Sequence, residues 1–77
     1  MELSKQDERI IERMLEVCRT QDQCKDWLGG QIQASYSKAE SMRIMQNARA
    51  VQAYYADIRQ LSRLRFYLDE LTGHLPA

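Results

Sequence analysis

The chain offers little from which to build a catalytic or ligand-binding centre. It holds one histidine, one proline, two cysteines and three glycines in 77 residues. His74 stands alone beyond the last predicted helix, beside Gly73, with no oriented partner to make it a general base. It reads as a terminal residue near the negative end of a helix. Gly29-Gly30 lacks the following Lys and Ser/Thr of a phosphate loop. Two cysteines and one distant histidine do not make a structural zinc pattern. Charge of one sign is also missing, because 11 basic and 11 acidic residues cancel. A general electrostatic hold on DNA or RNA needs net or clustered positive charge. No apolar run approaches membrane-spanning length. Met1-Glu2-Leu3-Ser4 lacks the basic and apolar regions of a signal peptide, so a cytoplasmic location is expected. Neither enzymatic activity nor a cofactor or metal is expected.

What is present is helix-forming sequence. Glu, Gln, Arg, Ala, Leu and Met dominate, and Pro and Gly fall near the ends of segments. A single domain over residues 1–77 is expected, with a core too small to be stable without help. Ser4 is a natural cap for a first helix over about residues 5–28, with Asp7 in its first turn. Ile10, Met14, Val17, Cys18 and Leu28 fall on one stripe, widened by Ile11 and Leu15. Glu8, Glu12 and Glu16 share the polar face with Arg9, Arg13 and Arg19, a solvated arrangement rather than a metal site. Gly29-Gly30 reads as the stop.

Two features of this segment point to an alternative. Gln21 lies within the apolar stripe, where a buried amide needs partners. Thr20 and Gln23 form a second T-x-x-Q capping pair, which would break the helix near Thr20. On a continuous helix Cys18 and Cys24 point about 240° apart and sit about 9 Å apart along the axis. A disulfide between them is then excluded unless the helix breaks, and two reduced, partly buried thiols are expected.

Residues 29–37 are expected to form a loop, followed by Ser37-Lys38-Ala39-Glu40, a full S-x-x-E capping box. A second helix over about residues 38–72 follows, ended by Gly73 and Pro76. That makes an all-α, two-helix αα-hairpin with a long second helix. The second helix spans about 52 Å and the first about 36 Å, so roughly three turns are left without a partner. The remedy expected is a homodimer, two hairpins closing into an antiparallel four-helix bundle. The proposed interface is a seam through Ile44, Val51, Tyr55, Ile58, Leu61, Leu64, Leu68 and Leu71, whose spacing suits left-handed supercoiling. The alanine-rich first half, with Ala48, Ala50, Ala53 and Ala56, suits close packing. The leucine-rich second half is expected to overhang and recruit another chain.

Off the seam lie Trp27, Met42, Met45 and Phe66, candidates for a second apolar surface that a partner would cover. Arg59 and Arg63 would rim that contact. The leading expectation is therefore a small, non-enzymatic protein-binding regulator (inhibitor, adaptor or chaperone-like module) that presents a helix face. The alternative is an RNA- or DNA-binding hairpin dimer using a stripe of Lys38, Arg49, Arg59 and Arg63, which fall within about 80° on the helical wheel.

Overall fold

The computed structural model describes residues 2–77. It is all-helical, with no strand among the described residues. In chain order the elements are α1 (Lys5–Val17), α2 (Gln21–Ile44), α3 (Ala48–Phe66) and a single turn, α4 (Leu68–Leu71).

The start of α1 follows the sequence closely. The Ser4 hydroxyl accepts from the Asp7 N–H, and the Asp7 carboxylate accepts from the Ser4 N–H. This reciprocal pair satisfies two donors that the first turn leaves unpaired. The helix expected over 5–28 does not stay whole. Cys18 turns extended, and Thr20 caps α2 by accepting from the Gln23 N–H at 3.1 Å. The Gln23 side chain accepts in turn from the Arg19 N–H at 2.7 Å. Arg19 covers the end of α1 from the other side, donating to the Leu15 and Glu16 carbonyls. The chain thus breaks here with neither glycine nor proline within the joint.

Gln21 finds the partners that its position demands. Its side-chain amide donates to the Thr72 carbonyl at 2.9 Å, and its backbone N–H donates to the Pro76 carbonyl at 2.8 Å. The C-terminal tail thus closes the first turn of α2. Buried Thr72 is held by its own hydroxyl, which donates to the Leu68 carbonyl at 2.7 Å.

The loop expected over 29–37 is helical. Neither Gly29 nor Gly30 takes a positive φ. Leu28 is buried in the core and Ile32 packs against it, so α2 keeps its register across the glycines. Ser37 is therefore mid-helix and caps nothing. Glu40, its supposed partner, instead forms an exposed ion pair with Arg43.

The helix expected over 38–72 is broken twice. At the first break the chain reverses through Met45, Gln46 and Asn47. Gln46 stands at φ 60°, and its N–H donates to the Arg43 carbonyl while the Asn47 N–H donates to Met42. These two bonds define a Schellman ending. Asn47 then caps α3, accepting from the Ala50 N–H at 3.1 Å. A left-handed residue is needed here, and glutamine serves where glycine is usual. The second break, at Tyr67, is slight and leads into α4.

The hairpin is thus α2 against α3, not residues 5–28 against 38–72. The core is Met14, Cys18, Cys24, Leu28, Leu61, Leu64 and Leu68, with Leu3, Ile10, Ile11, Leu15, Trp27, Ile32, Leu71 and Leu75 packed around it. It lies at the end of the hairpin that α1 covers. Gln46→Gly should raise stability by about 0.5–1 kcal/mol, because glycine meets no Cβ strain at this φ. Asn47→Ala should lower it by about 1 kcal/mol through loss of the cap. Urea unfolding of both variants checks the pair.

Candidate interaction surface

Helix α1 has 13 residues and α2 has 24, or about 20 Å against about 36 Å. The shorter helix leaves the far end of the hairpin uncovered. Among residues 31–44 of α2 and 48–57 of α3 only Ala39 is buried. This arm ends in an apolar tip, where Ile44 is 73 % and Met45 69 % exposed.

The molecule is elongated as a result, 43 × 22 × 19 Å. Its radius of gyration is 13.5 Å, against roughly 11.5 Å for a compact chain of this length. Its accessible surface is 5581 Å² for a mass of 9.1 kDa, whereas a compact monomer of that mass exposes roughly 4,900 Å².

On the side of the hairpin away from α1 runs a shallow groove of about 330 Å³, lined by Lys25, Ile32, Ser62, Arg65 and Phe66. Phe66 is 81 % exposed and packs edge-on against Tyr67, ring centres 5.1 Å apart. Further along the arm Tyr36 and Tyr55 form another edge-on pair at 6.2 Å. Among the described residues Lys25, Arg59 and Arg65 have no anionic partner within ion-pair distance.

The seam expected to join two chains is divided by this architecture. Ile58, Leu61, Leu64 and Leu68 are buried within this chain, and Leu71 is half-buried against the core. Only Ile44, Val51 and Tyr55 retain exposure on the arm. The leucine-rich half does not overhang, because α1 and α2 already cover it. The alanine-rich half is the uncovered one. Trp27 packs against the core, Met42 is half-buried, and Met45 and Phe66 are open.

The basic stripe also comes apart. Lys38 is on α2, while Arg49, Arg59 and Arg63 are on the antiparallel α3. Arg63 is engaged by Asp7, Nη2 to Oδ2 at 2.6 Å, and Lys38 lines a groove on the α1 side with Gln6 and Ile10.

Among the described residues Asp7 is the one buried carboxylate, and nothing in the sequence beyond its place in the first turn marked it. Besides the Ser4 N–H and Arg63 it accepts from Gln60 Nε2 at 2.9 Å. Burial raises the cost of its charge, but the hydrogen bonds from Gln60, Ser4 and Arg63 outweigh it and hold the carboxyl well below its ordinary value. A hollow of about 620 Å³ lies beside it, lined also by Glu2, Leu3 and Tyr67. A carboxylate so fully partnered is a poor base, and its place is that of a latch between α1 and α3.

Cys18 and Cys24 are both free and buried, and they flank the break rather than sharing a helix. The geometric objection to their pairing therefore lapses. Burial pushes the Cys24 thiol up, with the neighbouring Cys18 adding to the shift. His74 is exposed in the tail. Among the described residues no group of three His, Cys, Asp or Glu could hold a metal ion, and no helix is long and apolar enough to cross a membrane. Comparisons with protein-family models, with curated proteins and with solved structures found no match.

Two outcomes are expected. The depressed Asp7 contributes stability that is full above the ordinary carboxylate value of about 3.9 and is lost as pH falls below it. Asp7→Asn should cost about 2–3 kcal/mol near neutrality, a figure reduced by the half-exposure of Arg63. The gap between wild type and variant should narrow toward about pH 2–3 in urea titrations. Second, a thiol reagent should modify neither cysteine in the folded protein and both after denaturation.

Proposed function

We propose that this chain is a small, non-enzymatic protein-binding regulator that works through the uncovered arm of the α2–α3 hairpin. The observation that carries this reading is the arm itself: a helical pair with one buried side chain and a tip of exposed Ile44 and Met45. Apolar surface of this kind is costly to leave in water, and helical faces are ordinary recognition surfaces. A flexible methionine at the tip suits contact with another protein. The tip residues approach the partner, and the flank carrying Tyr36 and Phe66 supports an oligomeric form. Two buried reduced thiols accord with a cytoplasmic setting. The work is done by occupancy: a partner that accepts the tip has that part of its own surface masked.

A photo-crosslinking residue at Met45 should yield a discrete adduct with another polypeptide in the native cell. The same residue at Glu12, on the outer face of α1, should not. Ile44→Ser with Met45→Ser should lower the adduct roughly tenfold while changing stability by less than about 0.5 kcal/mol, as exposed positions do. Equal adducts from both sites, or none from Met45, would remove the reading.

A further inference from the structure

The flank of α2 that turns away from α1 carries a self-complementary pattern. Lys25, Gly29, Ile32, Tyr36 and Glu40 recur at helical spacing and fall within about 80° on the wheel. Lys25 and Glu40 are exposed, Tyr36 is 47 % exposed, and Ile32 borders the open groove. We propose that a second copy of this chain packs its α2 antiparallel on this flank, about a two-fold axis passing between Ile32 and Gln33. The inference rests on the reading just given, since it names what covers the flank of the arm and leaves the tip to the other protein.

That axis sets every pair. Lys25 of one chain meets Glu40 of the partner subunit, and symmetry repeats the contact. One step further out, Asp22 meets Arg43 of the partner subunit. A parallel arrangement would instead set lysine on lysine and glutamate on glutamate, so charge selects the antiparallel form. At the same register the ring of Tyr36 arrives over Gly29. A Cβ built on Gly29 meets nothing within 4 Å, so nothing inside the chain requires this glycine. A glycine weakens a helix relative to alanine, and close approach of a partner's ring gives it a use. Ile32 sits at the axis, and the exposed Phe66 stands beside the groove to cover the incoming helix. Packing along this stripe has the three-and-four spacing of a shallow helix crossing.

The area agrees. The chain exposes roughly 700 Å² more than a compact monomer of its mass, and a standard interface takes roughly 800 Å² from each partner.

The test is mass in solution. Sedimentation equilibrium at tens of micromolar should give twice the chain mass of 9.1 kDa. Lys25→Glu and Glu40→Lys should each weaken self-association by roughly tenfold or more, because each sets like charges together twice. Mixed in equal amounts they should recover a heterodimer, since both pairs are then attractive. Gly29→Gln should keep or raise helical stability and still lose the dimer, which separates blocked docking from misfolding. A monomeric wild type, a mixture that stays monomeric while the wild type dimerises, or a Gly29→Gln variant that dimerises normally each overturns the proposal. The Met45 crosslink is read separately. Its survival with a monomeric wild type removes only the self-association. Its absence alongside a dimer of the stated register removes only the regulator reading.

Discussion

A helix of 13 residues lies against a hairpin whose first arm has 24, and no packing of side chains repairs that difference in length. Burial must end where α1 ends. Every large residue that escapes water completely, including Met14, Leu28 and Leu64, is therefore at one end of the molecule. Beyond it α2 and α3 have only each other. Two helices alone bury one narrow strip, here through Ala39 with Met42, Val51 and Tyr54 part-covered. Small residues in the arm let the two backbones approach but bring little apolar area out of water. The arm is the part of the fold with least to hold it, and also the part with most surface to offer.

Position along the hairpin is set by polar contacts, since apolar packing alone is nondirectional. Asp7 ties the first turn of α1 to Gln60 and Arg63 on α3, and Gln21 ties the first turn of α2 to Thr72 and Pro76. Each uses a helix start, where unpaired N–H groups already need acceptors. Sliding α1 by one turn would strand a buried carboxylate, which costs far more than any apolar rearrangement could return. The short α1 is thereby confined to one end, and the open arm follows from that confinement.

Much of the local structure was legible in the sequence. Ser4 with Asp7 marked the start of α1, and Thr20 with Gln23 marked the break that occurs. The awkward Gln21 was a sign of that break, since an amide in an apolar stripe implies acceptors from elsewhere. Two signals misled for physical reasons. Gly29-Gly30 resembled a helix stop, but glycine only permits a left-handed turn, and packing of Leu28 and Ile32 kept the helix going. Ser37 with Glu40 resembled a cap, but the same spacing occurs along any exposed helix face. The true turn was obscured because glutamine occupies the left-handed position. Asn47, a good cap with Ala48 and Ala50 after it, was the available clue. As for the candidate surface, the wheel picked out Leu61, Leu64 and Leu68 as an apolar face. It had no means of saying which chain would cover that face, and the answer depended on the unseen turn at 45–47. Phe66 and Met45 needed no such information, because they lay off every stripe.

The bond from Gln21 to the Pro76 carbonyl joins positions 55 residues apart in the sequence. During synthesis the chain emerges in order, so α2 is complete in sequence long before its first turn can be closed. The hairpin of α2 and α3 relies on neighbours close in sequence and can assemble early. The joint beside Thr20 has to wait for the tail. Until then Gln21 lacks the Thr72 and Pro76 carbonyls, and Leu71 and Leu75 are not yet packed against the cluster that holds both thiols. A nascent chain of this protein thus passes through a stage in which the cluster that holds Cys18 and Cys24 lacks part of its cover, and the segment carrying Leu71, Leu75 and Pro76 is the one that completes it.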